Sequence, residues 1–207
     1  MTYGFLSDVH GDLDGLCWAL DSLAGADQVY CLGDLCGGRE VRACLELLRA
    51  RAVICVPGNH DLWEFELSEL LPEQREFLAG WPISREVEDW LAVHSDFEQD
   101  EYGLRFPYIH SEADARRAFA HFPQRLIFFG HTHLSQVHCL EPDGTIRFTR
   151  AQGACPLRSE CRYLVNVGAT TDTCLLYDTE KAMLDYRFRV PKAPVVVPRR
   201  PWWRLFG

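Results

Sequence analysis

Side chains that commonly bind metal ions stand in short clusters along the chain, each directly after an apolar run. The clearest cluster is Gly-His-Thr-His at residues 130–133, which follows the apolar run Leu126–Phe129. Three earlier clusters combine aspartate, asparagine and histidine, and His94 follows another apolar run. Carboxylates, an amide and neutral imidazoles suit manganese, iron or zinc, whereas magnesium and calcium prefer mostly oxygen. The candidate ligands are Asp8, His10, Asp34, Asn59, His60, His94, His131 and His133.

Eight candidate ligands are too many for one tetrahedral ion, but they suit two ions that share a carboxylate. Two divalent ions about 3.5 to 4 Å apart lower the pKa of the water between them and bind the oxygens of an in-line displacement. With Asp8, Asp34 and a hydroxide counted, such a site carries about +1, although the formal charge of the chain is −9. The residues therefore predict a two-metal site that attracts a small anion and activates the water between its two ions.

The spacing of the first three clusters indicates which elements position them. Asp8 and Asp34 lie 26 positions apart, and Asp34 and Asn59 lie 25 apart, about the length of one strand-helix-strand crossover. Parallel strands joined in this way bring their carboxyl ends to one edge of a sheet, where ligands bind. The predicted strands are Tyr3–Ser7, Gln28–Leu32 and Val53–Val56, and the predicted helices are Leu13–Leu23 and Glu40–Arg51.

The second half of the chain is rich in predicted strands. Residues 62–82 are predicted to be mostly helical, residues 95–111 to form a loop or small lid, and Glu112–Phe122 to form a helix. Alternating strands and helices, followed by successive hairpins, predict an α/β fold with two facing mixed β-sheets flanked by helices, an αββα four-layer sandwich. The further predicted strands are 84–87, 90–93, 126–129, 136–140, 145–149, 163–167, 174–177 and 183–190.

Length and composition restrict the class of protein. The 207 residues, 47% of them hydrophobic, suit a single domain over residues 1–207. No run of about eighteen uncharged apolar residues occurs and the start lacks a leader pattern, so we expect no membrane span and a cytoplasmic location. The charge of −9 argues against an extensive nucleic-acid surface.

The cysteines are predicted to be reduced thiols, most of them buried as small hydrophobic side chains. Their number, nine, is odd, and several lie in apolar helix-like or strand-like segments. No two of them have the C-x-x-C spacing of a zinc site, so a structural zinc site is not expected. Two other histidines, His121 and His138, match no motif and are predicted to lie on the surface.

Five ordered motifs resemble those of the calcineurin-like metallophosphoesterases. They are Asp8-Val9-His10, Gly33-Asp34, Gly58-Asn59-His60-Asp61, His94 and Gly130-His131-Thr132-His133. The resemblance implies that one metal is held by Asp8, His10, Asp34 and His133 and the other by Asp34, Asn59, His94 and His131, with Asp34 bridging. It also implies hydrolysis of a small phosphodiester or phosphomonoester by attack of a hydroxide that bridges the two metal ions, with His60 closest to the leaving group. We expect two divalent metal ions as cofactor, manganese first, with iron, zinc or nickel as alternatives.

Departures from the family pattern narrow the expected substrate. Gly37-Gly38 and Leu62-Trp63 stand where protein serine/threonine phosphatases of the superfamily carry an Asp-Arg pair and an arginine. Such a phosphatase is therefore not expected, and a diadenosine-polyphosphate hydrolase is disfavoured less strongly. The remaining resemblance is to small prokaryotic phosphodiesterases.

Several alternatives stay open at this stage. His110 competes with His94 as a ligand, and Arg39 either binds the substrate phosphate or is solvated. The C-terminal tail, residues 191–207, mixes arginine with aromatic residues, and we expect it to pack on the domain or on a second subunit in a homo-oligomer. Other functions to weigh are a non-catalytic scaffold and a nuclease that binds nucleic acid through this tail.

Overall fold

The computed structural model describes residues 1–63, 67, 68, 70–101 and 103–190. Strands and helices alternate in the first half of the chain, and strands predominate in the second. In chain order the elements are β1 (Thr2–Leu6), α1 (Leu13–Ser22), β2 (Gln28–Cys31), α2 (Val41–Ala50), β3 (Ile54–Cys55), a 3-10 turn (His60–Leu62), α3 (Pro72–Ala79), β4 (Ser84–Val87), β5 (Trp90–Val93), β6 (Glu98–Asp100), β7 (Gly103–Arg105), α4 (Glu112–His121), β8 (Leu126–Phe129), β9 (Gln136–Leu140), β10 (Ile146–Arg150), β11 (Ala154–Pro156), β12 (Arg162–Asn166), β13 (Thr173–Asp178) and β14 (Met183–Phe188).

The first sheet has the strand order β11-β14-β13-β1-β2-β3. Strands β1, β2 and β3 are parallel, and β13 pairs antiparallel with β1. Helices α1, α2 and α3 cover its outer face, where Leu16 and Leu45 are buried beside Leu6 and Cys31. Burial of each such leucine contributes about 2 kcal/mol, which holds the helices to the sheet. Helix α1 begins where the Asp12 side chain accepts a hydrogen bond from the amide of Gly15.

The second sheet has the order β10-β9-β12-β8-β5-β4. Strands β5, β8 and β12 are parallel, and β9 pairs antiparallel with β12. Helix α4 covers its outer face through Ala115 and Phe119, which pack against Leu91 and Ile127. A capping box between Ser111 and residue 114 sets the start of this helix.

Aromatic side chains fill the space between the two sheets. The rings of Phe5 and Phe128 stack with their centroids 4.0 Å apart, and Trp90 meets Phe5 edge-on at 5.4 Å. These residues come from opposite sheets, so the sheets face one another across this core. The predicted αββα sandwich of two mixed sheets and flanking helices is confirmed.

Three local predictions were wrong. Residues 95–111 contain the hairpin β6-β7 rather than only loop, and β11 lies within residues 153–159, where no strand was predicted. His138 was predicted to be a surface residue but is 2% exposed. It lies on β9, an interior strand, and faces the side of the sheet that α4 covers, because the alternate residues Val137 and Cys139 face the aromatic core.

All nine cysteines are free thiols. Of the six cysteines in apolar helix-like or strand-like segments, Cys17 is exposed on α1 and five are buried as predicted, namely Cys31, Cys36, Cys44, Cys55 and Cys174. The helix predicted within 62–82 is present at Pro72–Ala79, and residues 64–66 and 69 lie outside the described chain, as does the tail at 191–207. Among the described residues, no helix has the length and apolar character needed to cross a bilayer.

Candidate metal centre

The loops that follow β1, β2, β3, β5 and β8 bring the predicted ligands together. Three overlapping donor groups form there, and two of them contain the aspartates and histidines predicted to bind metal. The outer donor group is Asp8, His10 and His133, and the inner donor group is Asp34, His94 and His131, with the Asn59 amide beside it. In each group, the potential ligand atoms of the three charged or imidazole side chains lie within 4.8 Å of one another.

Asp34 lies where the two donor groups meet. Its Oδ2 atom is 3.4 Å from His94 Nε2 and 3.8 Å from His10 Nε2. In the outer group, His133 Nε2 is 3.3 Å from Asp8 Oδ1 and 3.1 Å from His10 Nε2. One carboxylate oxygen therefore faces imidazole nitrogens from both groups.

The inner group is arranged around His94 Nε2. This nitrogen is 3.3 Å from Asn59 Oδ1 and 3.1 Å from His131 Nδ1, in addition to its contact with Asp34. All of these side chains except Asn59, which the loop after β3 supplies, are buried.

Backbone carbonyls set the orientation of two imidazoles. His94 Nδ1 donates a hydrogen bond to the Leu32 carbonyl at 2.7 Å, and His10 Nδ1 donates to the Cys36 carbonyl at 2.9 Å. In the neutral tautomer, each Nε2 then directs a lone pair at the Asp34 carboxylate. Lone pairs converge without a hydrogen between them, so this donor set fits a cation.

The pKa values of the inner group without metal also show that positive charge is favoured beside Asp34. Burial alone would raise the pKa of Asp34, but its contact with His94 outweighs burial and brings that pKa to about 2. Burial alone would lower the pKa of His94, yet the same contact raises it to about 9. Burial and the neighbouring His94 cation lower the pKa of His131 to about 4. A proton on His94 thus occupies the position that a divalent cation fits.

The backbone at these residues is unusual. Eight non-glycine residues of the described chain have positive φ, and five of them are candidate ligands. Such conformations cost of order 1 kcal/mol each and cluster at functional sites. The five are Asp8 at 53°, His10 at 45°, Asp34 at 53°, His131 at 67° and His133 at 58°.

Two glycines permit the close packing of loops around the carboxylates. A Cβ atom on Gly58 would overlap the Asp34 carboxylate, and one on Gly130 would overlap Ser7 and the Asp8 carboxylate. The Asp8 carboxylate also accepts the amide of His131, at 3.0 and 3.1 Å from its two oxygens. Because these two positions are glycine, the backbone of one loop can lie directly against a metal-binding carboxylate carried by another loop.

His60 lies at the rim of the outer group. Its ring meets that of His10 edge-on at 4.9 Å, and it also forms a donor group with His10 and Asp34. Asp61 follows His60 in the chain, and its two side-chain oxygens accept the amides of Cys36 and Gly58 at 2.9 Å. Asp61 therefore ties the loop after β2 to the loop after β3.

Tyr108 also contacts the inner group, although no sequence motif includes it. Its ring stacks on that of His131 with centroids 4.1 Å apart and an interplanar angle of 17°. It lies in the segment 95–111 and is 53% exposed. No spacing or motif could have indicated this contact, because an irregular chain segment brings the two rings together.

The two remaining candidates lie apart from the donor groups. His110, the competitor of His94, is exposed and stacks on Tyr108 rather than joining either group. Arg39 is exposed in the loop after β2, and its backbone packs near Gly11. Neither residue contributes an atom to the donor groups found among the described residues.

An αββα sandwich that gathers carboxylate, amide and imidazole donors at the ends of parallel strands is the architecture of a metallophosphoesterase. The calcineurin-like phosphoesterase superfamily domain matches residues 1–180, and the chain belongs to this superfamily. Its members are phosphoesterase hydrolases that typically bind divalent metals.

Three relatives illustrate the similarity. The uncharacterised protein MJ0912 of Methanocaldococcus jannaschii is 23% identical over 250 residues, covering 97% of this chain and 96% of that protein. A metallophosphoesterase from Sphaerobacter thermophilus has a TM-score of 0.79 at 24% identity, covering 93% of this chain and 90% of that one. An archaeal phosphodiesterase has a TM-score of 0.54 at 15% identity, covering 91% and 100%. The two solved structures support the fold.

Proposed function

We propose that this protein is a dinuclear metal-dependent enzyme that hydrolyses a small phosphodiester or phosphomonoester. The observation that carries the proposal is the convergence of oxygen and nitrogen lone pairs on either side of Asp34 Oδ2. A carboxylate in this position suits a two-metal site, because it can bind both ions and offset part of the charge of each. Manganese is the metal we propose first, with iron, zinc or nickel as alternatives.

Each donor group has the chemistry to hold one ion. Asp8, His10 and His133 would hold the outer ion, and the buried His94, His131 and Asn59 would hold the inner one. Asp34 would bind both. The outer group lies nearer to solvent, since the His133 side chain is 49% exposed and that of His94 is fully buried. When bound, two divalent ions supply a nucleophilic oxygen at neutral pH and offset the charge of a phosphate.

His60 is the residue we assign to the leaving group. Its half-buried ring stands beside the outer donor group, and its backbone amide donates to Asp34 Oδ1 at 2.9 Å. A protonated imidazole there can stabilise developing charge and donate a proton to the departing oxygen. Arg39 is the arginine we propose to contact the substrate, because its loop borders the outer group. The segment 95–111, which carries Tyr108, is the proposed lid.

Compartment and substrate class complete the proposal. Nine free thiols suit the reducing conditions of the cytoplasm, which is the location we propose. The net charge of −9 favours a small phosphoester over a long nucleic acid, because a polyanion would be repelled outside the site.

The test is hydrolysis of a chromogenic phosphodiester by protein loaded with Mn²⁺. Asp34→Asn should lower kcat/KM by about 10³-fold or more, because it weakens the ligand shared by both ions. Asp143→Asn makes the same chemical change at an exposed turn and should leave the rate unchanged. Hydrolysis that is absent from the wild type, or equal in the two variants, contradicts the proposal.

A second variant tests the role of His60. His60→Gln should slow esters with poor alkyl leaving groups by about 10²-fold, because these need the donated proton. Esters with a nitrophenolate leaving group should be slowed much less. An equal loss on both kinds of ester would show that His60 does not protonate the leaving group.

A further inference from the structure

A second kind of donor group lies away from the metal centre. Cys139, Glu141 and Cys161 offer two sulfur atoms and a carboxylate oxygen that all lie within 4.8 Å of one another. The sequence predicted no structural zinc site because no two cysteines have C-x-x-C spacing. The fold assembles this group instead from Cys139 on β9, Glu141 directly after β9 and Cys161 directly before β12.

The register of the second sheet explains the meeting of these residues. Strands β9 and β12 are antiparallel neighbours in which Cys139 pairs with Tyr163 and Leu140 pairs with Arg162. Continuing this register places Glu141 opposite Cys161, with Cys139 diagonal to Cys161 on the same face of the sheet. The group lies at the start of β12, whereas the candidate metal centre follows the end of β8, the parallel neighbour of β12. The two sites therefore lie at opposite ends of the strands of this sheet.

Glu141 is already held in place. Its Oε1 atom accepts hydrogen bonds from Arg147, at 3.2 Å, and from Arg158. Its Oε2 atom faces the thiol of Cys161 at 3.7 Å. The Glu141 side chain is 14% exposed and Cys161 is 1% exposed, so the arginines orient a carboxylate whose second oxygen is directed at buried sulfur. That oxygen can bind a cation without losing either arginine.

The charge of the group also suits a divalent ion. With both cysteines present as thiols, the charged side chains of the group are Glu141 and the two arginines that pair with it, Arg147 and Arg158. One carboxylate and two arginines then give a charge of about +1. A divalent ion that displaces both thiol protons leaves that charge unchanged, because it adds two positive charges and creates two thiolates.

We propose that Cys139, Cys161 and Glu141 bind one soft divalent cation, Zn²⁺ by its ligand preference, as a third metal site separate from the phosphoesterase centre. Two thiolates and a carboxylate are ligands that zinc accepts at about 2.3 Å for sulfur and about 2.0 to 2.2 Å for oxygen. The S–H bonds break as the Zn–S bonds form, and two protons pass to solvent. The bound ion joins the end of β9 to the start of β12, so its role is to stabilise the second sheet.

The experiment uses Co²⁺ as a spectroscopic substitute for zinc in the full-length protein previously loaded with Mn²⁺. Thiolate-to-cobalt charge-transfer absorption should grow until about one equivalent has bound, since the other donor groups contain no thiol. Cys139→Ser and Cys161→Ser should each abolish this absorption. Cys17→Ser, at an exposed cysteine outside the group, should leave it intact. Absence of the absorption in the wild type, or its persistence in both of the first two variants, overturns the proposal.

A measurement on the unmodified protein covers the case in which a serine variant does not fold. Added Zn²⁺ should slow alkylation of Cys139 at least about 10-fold, because the metal-bound sulfur is a weaker nucleophile than a free thiolate. Cys17 provides the internal control and should react at the same rate with and without zinc. If zinc slowed alkylation of Cys139 and Cys17 equally, or slowed neither, the proposal would be overturned. Neither result depends on phosphoesterase activity, so this proposal and the proposed function can fail separately.

Discussion

The inner and outer donor groups share one carboxylate yet differ in burial. In the inner group, His94 is fully buried and His131 is 8% exposed, while the outer group includes the His10 side chain at 23% and that of His133 at 49%. Tyr108 covers the inner group by stacking on His131. Burial strengthens electrostatic interactions and slows exchange with water. The inner group should therefore hold its ion more tightly, and the outer group should be the one that meets substrate.

Replacing one histidine in each group gives the largest expected difference. In metal-free protein, His94→Ala removes the partner of the buried Asp34 carboxylate and should lower the free energy of unfolding by about 3 kcal/mol. His133→Ala, at a half-exposed position, should lower it far less. Urea unfolding measures both values. Metal analysis after dialysis should find one bound ion in His133→Ala. If the two variants lost the same free energy of unfolding, the proposed difference between the groups would be refuted.

Removing the Tyr108 ring should have an intermediate effect, confined to the inner group. Tyr108→Ala should weaken binding of the inner ion by about 10-fold, as loss of a residue that supports a ligand does. Tyr108→Phe keeps the stacked ring and should bind metal like the wild type. Calorimetric titration of the two variants with Mn²⁺ checks this expectation. If Tyr108→Ala weakened binding of the outer ion and left binding of the inner ion unchanged, Tyr108 would instead support the outer group.

The smallest expected effect comes from His138, a buried histidine outside both groups, and it is a change in how stability depends on pH. Burial lowers the pKa of His138, so the unfolded chain takes up a proton at higher pH than the folded chain does. Its contribution to stability is complete above the unfolded pKa of about 6.5 and is lost as pH falls from there through the lower pKa of the folded state. In urea unfolding of metal-free protein, His138→Gln should lose less stability than the wild type between about pH 7 and pH 5. Identical pH slopes would contradict this role of burial.

Strands and helices with strong patterns were predictable from the sequence. Strands 84–87, 90–93, 126–129 and 136–140 have the predicted bounds, and each end of the two crossover helices lies within one residue of the prediction. Four consecutive apolar residues, such as Leu126–Phe129, suit a strand buried on both faces. The short strands β6, β7 and β11 were not predicted, because each is three residues long and has no periodicity to detect.

The sequence by itself determined the set of donors and the strand ends that carry them, because residue type and crossover spacing are local properties of the chain. The tertiary structure decided the division into a buried and an exposed group, the stacking of Tyr108 on His131 and the meeting of Cys139 with Cys161. Each of these depends on which segments pack against one another. Two residues far apart in sequence become neighbours only when register and loop path are set by the burial of the whole core.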